Sequence, residues 1–425
     1  MRDFWLMDIT LRDGEQAVGV IFTRWEKLQV ATLLAGMGIP MIEAGFPALG
    51  PEEAECVATV ARAGLEVRGE GEPLRVYAFA RARADDVAAA ADCGVDGVVI
   101  SISTSDVHIE RKFGRTRRWV LERLEEAAAE ARRHGLPFIA SAEDASRTDP
   151  DFLAEYYRLA VELGAWAVRY CDSLGVNDPF ATYLHIARLR RSIPVPIQLH
   201  MHNEFGMATA NALAGLRAGA RSVAASIGGQ GERTGNSPLE EVVMALKHLH
   251  GIDLGVDTAR FREVAEYVAR ASQRAIPIWK AIIGTNIFAH ESGIHADGIL
   301  KNPSTYEAFS PEEVGLTRQI VIGKHSGTHA LIHKFRAEFG IDLDADTATR
   351  MLERVRAVAV ELKRPLFDKE LILLYRELAR GRGNASPPIS GERPPPGSSR
   401  RRSSPLPGMC EEGRDAGHMC TGDST

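Results

Sequence analysis

Cysteine is scarce in this chain. Five of 425 residues are cysteine (Cys56, Cys93, Cys171, Cys410 and Cys420), and no two stand in a CxxC spacing. An odd number without paired spacing indicates neither a disulfide framework nor a structural zinc cluster, and it fits a reducing compartment. Long apolar runs are missing too: none approaches the roughly 18 residues of a membrane helix. Excess positive charge is absent, since the formal net charge is −6, so nucleic acid is not an expected partner. The opening stretch, MRDFWLMDITLRDGEQ, carries charges where a signal peptide would need an apolar core. A cytoplasmic location without membrane contact is the resulting expectation. A glycine-rich phosphate turn after the first apolar run is lacking as well, because DITLRDGEQ stands there.

What is present is a repeat of local pattern. Hydrophobic residues make up 45% and charged residues 25%, as in a globular enzyme. An alanine-rich amphipathic stretch ends in a glycine and is followed by a β-rich apolar run, as in LLAGMGIPMIEAGF, AAADCGVDGVVISIS and AVELGAWAVRYCDS. Gly38, Gly94, Gly135, Gly164 and Gly219 read as residues that end helices in a left-handed conformation. Strands are predicted near 4–8, 41–46, 75–79, 97–102, 137–141, 165–171, 196–201 and 222–227, with helices between them, for example 118–133 and 151–163. Eight alternating units imply an α/β fold: a closed (β/α)8 barrel of the TIM type over residues 1–252. The alternative is an open doubly wound sheet. Residues 253–380 read as a small, mostly helical region that presents a loop-rich segment. Residues 381–425, dense in Pro, Gly and Ser and without an aromatic, read as a disordered tail. Cys410, His418 and Cys420 in that tail are a weak metal motif.

In such a barrel, side chains at the C-terminal ends of the strands form the active site. Polar clusters fall there: Arg12, Asp13, Glu15 and Gln16 after the first strand, Glu43 after the second, Ser141, Glu143 and Asp144 after the fifth, and Asp172 and Ser173 after the sixth. The stretch HMHNEFG puts His200 and His202 on the seventh strand, and GGQGERTGN after the eighth ends in Asn236. Residues i and i+2 of a strand face the same way, so both imidazoles aim at one point. With the Asp13 carboxylate they make a donor set for Mn2+, Zn2+, Fe2+ or Mg2+ with positions left for substrate oxygens. The plainer alternative is two histidines hydrogen-bonded in the barrel mouth. Arg12, beside Asp13, can stabilise a developing oxyanion, or can pair structurally with Glu43 or Glu143. Glu232 and Arg233 read as a local ion pair.

DITLRDGEQAVGVIFT, IEAGFPALG, HMHNEFGMATANALAGLRAG, GGQGERTGNSPLEEVVMAL, FAHESGIHADGILKNPSTYEAFSPEEVG and IGKHSG together resemble the 2-isopropylmalate/homocitrate/citramalate synthase family. The likeness runs from about residue 4 to 379. RDGEQAVGVIF, GFPALG and RQIVIGKHSG resemble, within it, homocitrate synthases of the nitrogen-fixation type. The resemblance implies a Claisen condensation of acetyl-CoA with 2-oxoglutarate, followed by thioester hydrolysis to (R)-homocitrate and CoA. It implies Asp13, His200 and His202 as ligands of Mg2+, Mn2+ or Zn2+, with Asn236 at or near the shell. It assigns Arg12 to the oxyanion, Glu143 and His295 to acid/base work and Tyr306 to the reacting groups. Gln16 and Ser173 (where the family commonly has Thr) are expected to join Arg12 in binding substrate, and Arg111 is a candidate for it from the residues of its own segment. It also implies a homodimer in which the segment bearing His295 reaches the partner's barrel mouth. His290 and His325 are expected to be structural, and leucine feedback is not expected.

Three other readings compete. A sister synthase would take 2-oxoisovalerate or pyruvate, but TSDVHIERKFGRTR offers Arg111, Arg115 and His108 to a distal carboxylate, where an isopropyl group would want an apolar wall. A retro-aldol lyase on the same barrel would leave the His295 segment unexplained. A catalytically silent metal scaffold would lack a ligand or base, and none is missing.

Overall fold

The computed structural model describes residues 4–69 and 71–380. Eight parallel strands close a barrel in sequence order: β1 (Trp5–Asp8), β2 (Met41–Glu43), β3 (Arg75–Arg81), β4 (Gly97–Ser103), β5 (Phe138–Glu143), β6 (Ala167–Asp172), β7 (Ile197–Met201) and β8 (Ser222–Ala225). Closure comes from β1 against β8, with Trp5 opposite Ser222 and Asp8 opposite Ala225. Around them run α1 (Arg24–Met37), α2 (Pro51–Ala61), α3 (Ala84–Asp92), α4 (Arg117–Arg133), α5 (Pro150–Glu162), α6 (Pro179–Arg190), α7 (Ala208–Arg217) and α8 (Leu239–His250). All eight predicted strands are present, and the closed barrel stands in place of the doubly wound alternative.

Local chemistry explains the alternation. The first helix, α1, opens on a capping box in which Thr23 and Glu26 satisfy each other's backbone N–H groups, and it ends at Gly38 with φ 94°. Strands covered on both faces need no polar alternation. Accordingly, every residue of β6 is buried, Arg169 and Asp172 included. Strands β3 and β5 run longer than predicted, which makes Glu143 the last strand residue of β5 instead of a loop residue.

Inside the barrel, Met7, Ile9, Met41, Tyr77, Val99, Ile139, Ala167 and Ala224 form an apolar plug. A polar chain crosses the same interior. Gln198 donates to Ser222 Oγ (2.9 Å), Arg169 Nε donates to Gln198 Oε1 (2.6 Å), and Arg169 pairs with Glu43 Oε2 (2.8 Å). Arg12 Nε takes the other Glu43 oxygen at 2.5 Å. Arg169 and Glu43 are both buried, so removing either would strand a charge at a cost of about 3–5 kcal/mol.

After α8 the chain forms α9 (Phe261–Ala271), β9 (Ala289–His290), α10 (Gly293–Lys301), β10 (Gln319–Ile320), α11 (Thr328–Phe339), α12 (Ala345–Leu362) and α13 (Asp368–Arg380). The chain divides into two units after Leu371. Phe261, Val264, Ala265 and Val268 of α9, with Ile283, Phe288 and Val314, join the main core that surrounds the strands. The second unit begins at Ile372, and only its helical residues to Arg380 are described. The expected disordered tail and its Cys410, His418 and Cys420 lie outside the described residues.

Two carboxyls buried near the mouth set a pH dependence. Burial pushes Asp8 up to about 7 against the opposing hydrogen bonds from Thr10, and Glu240 adds to the rise. Burial likewise pushes Glu240 up to about 7, with Lys280 opposing. Both values exceed the ordinary 3.8 and 4.5, so the folded state holds protons that the unfolded state has released. This contribution is full below pH about 4 and is lost as pH rises toward 7. In thermal melts, Asp8→Asn combined with Glu240→Gln is expected to flatten the fall in Tm between pH 4.5 and 7; an unchanged slope refutes the assignment.

Candidate metal centre and cavity

The turn after β1 folds back on itself, with the Arg12 and Gly14 N–H groups both donating to Ile9 O (3.1 and 3.0 Å). It presents Arg12 and Asp13 to the barrel axis. Across the mouth, the glycine-rich loop after β8 returns against the end of β7. His202 and Asn236 form an antiparallel bridge there, and Asn203 N–H donates to Gly235 O at 3.0 Å. Gln230 ties this loop to the first by donating to Gly14 O (3.0 Å). Gly231 has a steric reason: a Cβ there would lie 2.2 Å from Asn236 Nδ2 and 2.9 Å from Asp13 Oδ2.

These loops and β7 bring together one ligand atom each from Asp13, His200 and His202, all within 4.8 Å of one another and all on buried residues. The two imidazole Nε2 atoms are 3.1 Å apart. Two ligand atoms about 2.1 Å from one ion and at right angles lie about 3.0 Å apart, so the spacing suits adjacent positions on a divalent cation. Asn236 Nδ2 donates to Asp13 Oδ2 at 2.6 Å, while its buried Oδ1 has no hydrogen-bond partner and is free to join the donor set.

The electrostatics favour ligand-competent forms. Burial would raise the Asp13 carboxyl, but Arg12, then the two imidazoles and Asn236, hold it at about 2. Burial pushes both imidazoles down from their ordinary value, with Asp13 pulling the other way, so they are neutral and can bind a metal. The charge states and spacing of this donor set fit a divalent ion.

Arg12 is clamped. It donates to Glu43, to Asp13 Oδ1 (2.9 Å) and to Gln16 (3.4 Å), and its guanidinium lies 4.7 Å from the centre of the Phe79 ring. The structural pair with Glu43 therefore exists, and Arg12 still lines the cavity. This cavity, about 390 Å³, is lined by Arg12, Asp13, Gln16, Glu143, Ser173, His200 and His202, among others. Ser173 Oγ accepts from the Asp144 N–H (2.8 Å), which fixes the turn that follows Glu143.

Three expected residues are elsewhere. Arg111 is exposed and does not line the cavity. A π turn at His108–Lys112 puts His108 and Lys112 on the cavity side and leaves Arg111 outside. His295 on α10 is exposed and stacks on Tyr306 with ring centres 4.3 Å apart; neither lines the cavity of its own chain. His290 faces Glu307 (3.6 Å), and the His325 backbone binds Glu291 and Gly293, as structural residues would. Arg233 reaches Glu204 (2.7 Å) more closely than Glu232 (3.5 Å). Lys112, Ser101, Cys171 and Arg169 line the cavity without having been singled out from sequence. Arg169 carries the one available signal, a charge inside an apolar strand.

The fold and site define a closed barrel with a divalent-cation donor set at its C-terminal mouth. Comparison with known proteins agrees. The HMGL-like family profile matches residues 3–268, and the profile "Homocitrate synthase post-HMGL domain-like" matches residues 282–363. The chain is 52% identical to 2-isopropylmalate synthase 2 of Caldanaerobacter subterraneus over 90% of its length and 97% of that protein. It is 44% identical to homocitrate synthase 1 of a Nostoc species, over 89% and 98%. The HMG-CoA lyase of Bacillus subtilis shares the fold with TM-score 0.57 at 19% identity, over 64% of this chain and 95% of the lyase. The chain is therefore an enzyme of the HMGL-like family, in the branch that carries the homocitrate-synthase post-HMGL region and whose relatives are named 2-isopropylmalate and homocitrate synthases.

Titration calorimetry with Mn2+ tests the centre directly. His200→Ala and Asp13→Asn are expected to abolish binding, and Asn236→Ala to weaken it about 10- to 100-fold. Undiminished affinity in His200→Ala places the ion elsewhere.

Proposed function

We propose that this enzyme condenses acetyl-CoA with 2-oxoglutarate and hydrolyses the thioester, releasing (R)-homocitrate and CoA, as a homocitrate synthase of the nitrogen-fixation type. The observation that carries the choice of oxo acid is the cavity lining. Beside the donor set stand Arg12, Arg169, Arg233, Ser101 and Ser141, and apolar contact is confined to Phe79, Leu174 and Cys171. Such a surface receives a second carboxylate and offers an isopropyl group little to pack on. The rival is 2-isopropylmalate synthesis from 2-oxoisovalerate, favoured by the 52% identity to a protein of that name.

In this mechanism Asp13, His200 and His202, with Asn236 at the shell, hold Mg2+, Mn2+ or Zn2+. The bound ion supplies Lewis-acid polarisation of the oxo group. Arg12 stabilises the developing oxyanion from a position fixed by Glu43 and Asp13. Gln16 and Ser173 orient the oxo acid. Glu143 takes the methyl proton of the acetyl group, a weak acid that needs a placed base. His295 and Tyr306 stand outside this cavity in their own chain, so they act in trans. The enzyme works as a cytoplasmic homodimer whose post-barrel segment, within the proposed 253–380 region, completes the partner's mouth.

Free CoA, followed with a thiol reagent, discriminates among substrates. Release with 2-oxoglutarate is expected to exceed release with 2-oxoisovalerate or pyruvate at least 10-fold; a preference for 2-oxoisovalerate overturns the assignment. Exchange has its own test. His200→Ala and His295→Ala are each expected to be inactive, and unfolding and refolding an equal mixture should restore about a quarter of all sites, one of the two in each mixed dimer. No recovery on mixing refutes action in trans.

A further inference from the structure

We propose that His108 and Lys112 form one acid/base unit with Glu143 inside a single chain: His108 exchanges a proton with Glu143, and Lys112 holds its carboxylate in place. This rests on the condensation proposed above and specifies how its base is served. Three observations carry it.

First, the π turn His108–Lys112 puts two nitrogen-bearing side chains on the cavity wall beside Glu143 at the end of β5. Such turns often mark functional positions. Second, Lys112 Nζ lies 2.9 Å from Glu143 Oε1 and 3.5 Å from Ser103 Oγ, so the carboxylate is tethered from one side. Third, His108 Nδ1 is buried, has no hydrogen-bond partner, and stands 3.6 Å from the same Glu143 oxygen. A buried ring nitrogen without a partner, aimed at a carboxylate in a cavity, needs less than an ångström of closure to bond.

The other charge facing the ring belongs to Asp144, whose Oδ2 is 3.8 Å from His108 Nε2. Asp144 is already held by Ser105 (2.5 Å) and by Arg147 (2.9 Å to Oδ1), so it orients the ring without competing for Nδ1. His295 lines no part of this cavity, which leaves His108 as the imidazole nearest Glu143 within the chain.

The proton balance is simple. The C–H bond of the acetyl methyl breaks and its proton goes to Glu143; the electron pair forms the new C–C bond to the oxo carbon, and the C=O π pair moves onto the oxo oxygen as an alkoxide. Glu143 passes its proton through His108 to that alkoxide, which becomes the hydroxyl, and is again a carboxylate. It then takes a proton from the water that adds to the thioester; the C–S bond breaks, and CoA leaves as a thiolate that takes the proton of the new carboxylic acid. The proton on Glu143 leaves through His108 to solvent, the one net proton released when a thioester and water become a carboxylate and a thiol. His108 and Lys112 act through Glu143 and are positioning residues.

The test measures kcat, KM and the pH profile of kcat for the full chain with Mn2+, acetyl-CoA and 2-oxoglutarate. His108→Gln is expected to lower kcat about 100-fold, to change the acid side of the profile, and to leave KM for the oxo acid within about 2-fold. Lys112→Met is expected to lower kcat about 10-fold, with Lys112→Arg recovering most of it. Lys112 is half exposed, so its substitution leaves the fold intact and decides the matter if His108→Gln unfolds. A kcat within about 3-fold of wild type for His108→Gln and Lys112→Met sinks the proposal, as does a lost kcat with an unchanged profile. A raised KM with kcat kept overturns it in favour of substrate binding by these side chains. If the wild-type enzyme releases no CoA with any oxo acid, the condensation reading fails first and takes this one with it; an active wild type with indifferent variants fails this one alone.

Discussion

The structure depends on the pairing of charges inside a barrel that excludes water. Glu43 lies between two guanidiniums, Arg12 at 2.5 Å and Arg169 at 2.8 Å, and none of the three can be removed without stranding a buried charge. Satisfying Glu43 fixes Arg12, and Arg12 in turn holds Asp13 as a carboxylate facing the two imidazoles. The candidate donor set is thus the outer end of a chain of compensations that starts in the barrel interior, at Ser222 and Gln198.

A second constraint joins the loops. The segment after β8 has to approach the first loop and the end of β7 closely, which Gly231 permits and Gln230 and Asn236 secure. The same contact aligns Asn236 with His202. On the side of the candidate donor set the mouth is thus tied by these hydrogen bonds. On the other side, around Glu143, the groups are half exposed and the turn bearing His108 departs from α-helical geometry.

Much of this was legible in the sequence. The strand–helix alternation, the glycine helix ends and the HxH on an apolar run encode elements and the face each presents, because those follow from periods of 3.6 and 2. Asp13, His200 and His202 could be nominated by placing each at the end of a strand in a closed sheet, and Asn236 by the family resemblance. Arg111, named from its segment, is exposed and does not line the cavity, whereas His108 and Lys112 do. A helical period of 3.6 does not describe a π turn, and one residue of difference decides between cavity and solvent. Lys112 and His108 could be placed only once that turn was known.

By itself, the sequence determined the barrel, the order of its strands and the donor types at its mouth, since each is set by contacts local to one β/α unit. Only the tertiary structure decided which charges neutralise one another and which side chains share the cavity. Glu43 with Arg169 and Asn236 with Asp13 are separated by 126 and 223 residues respectively, and no local pattern carries information across such distances. It also decided that His295 and Tyr306 stand apart from their own chain's cavity, because the path of the segment after α9 is set by packing against the core and not by its own period.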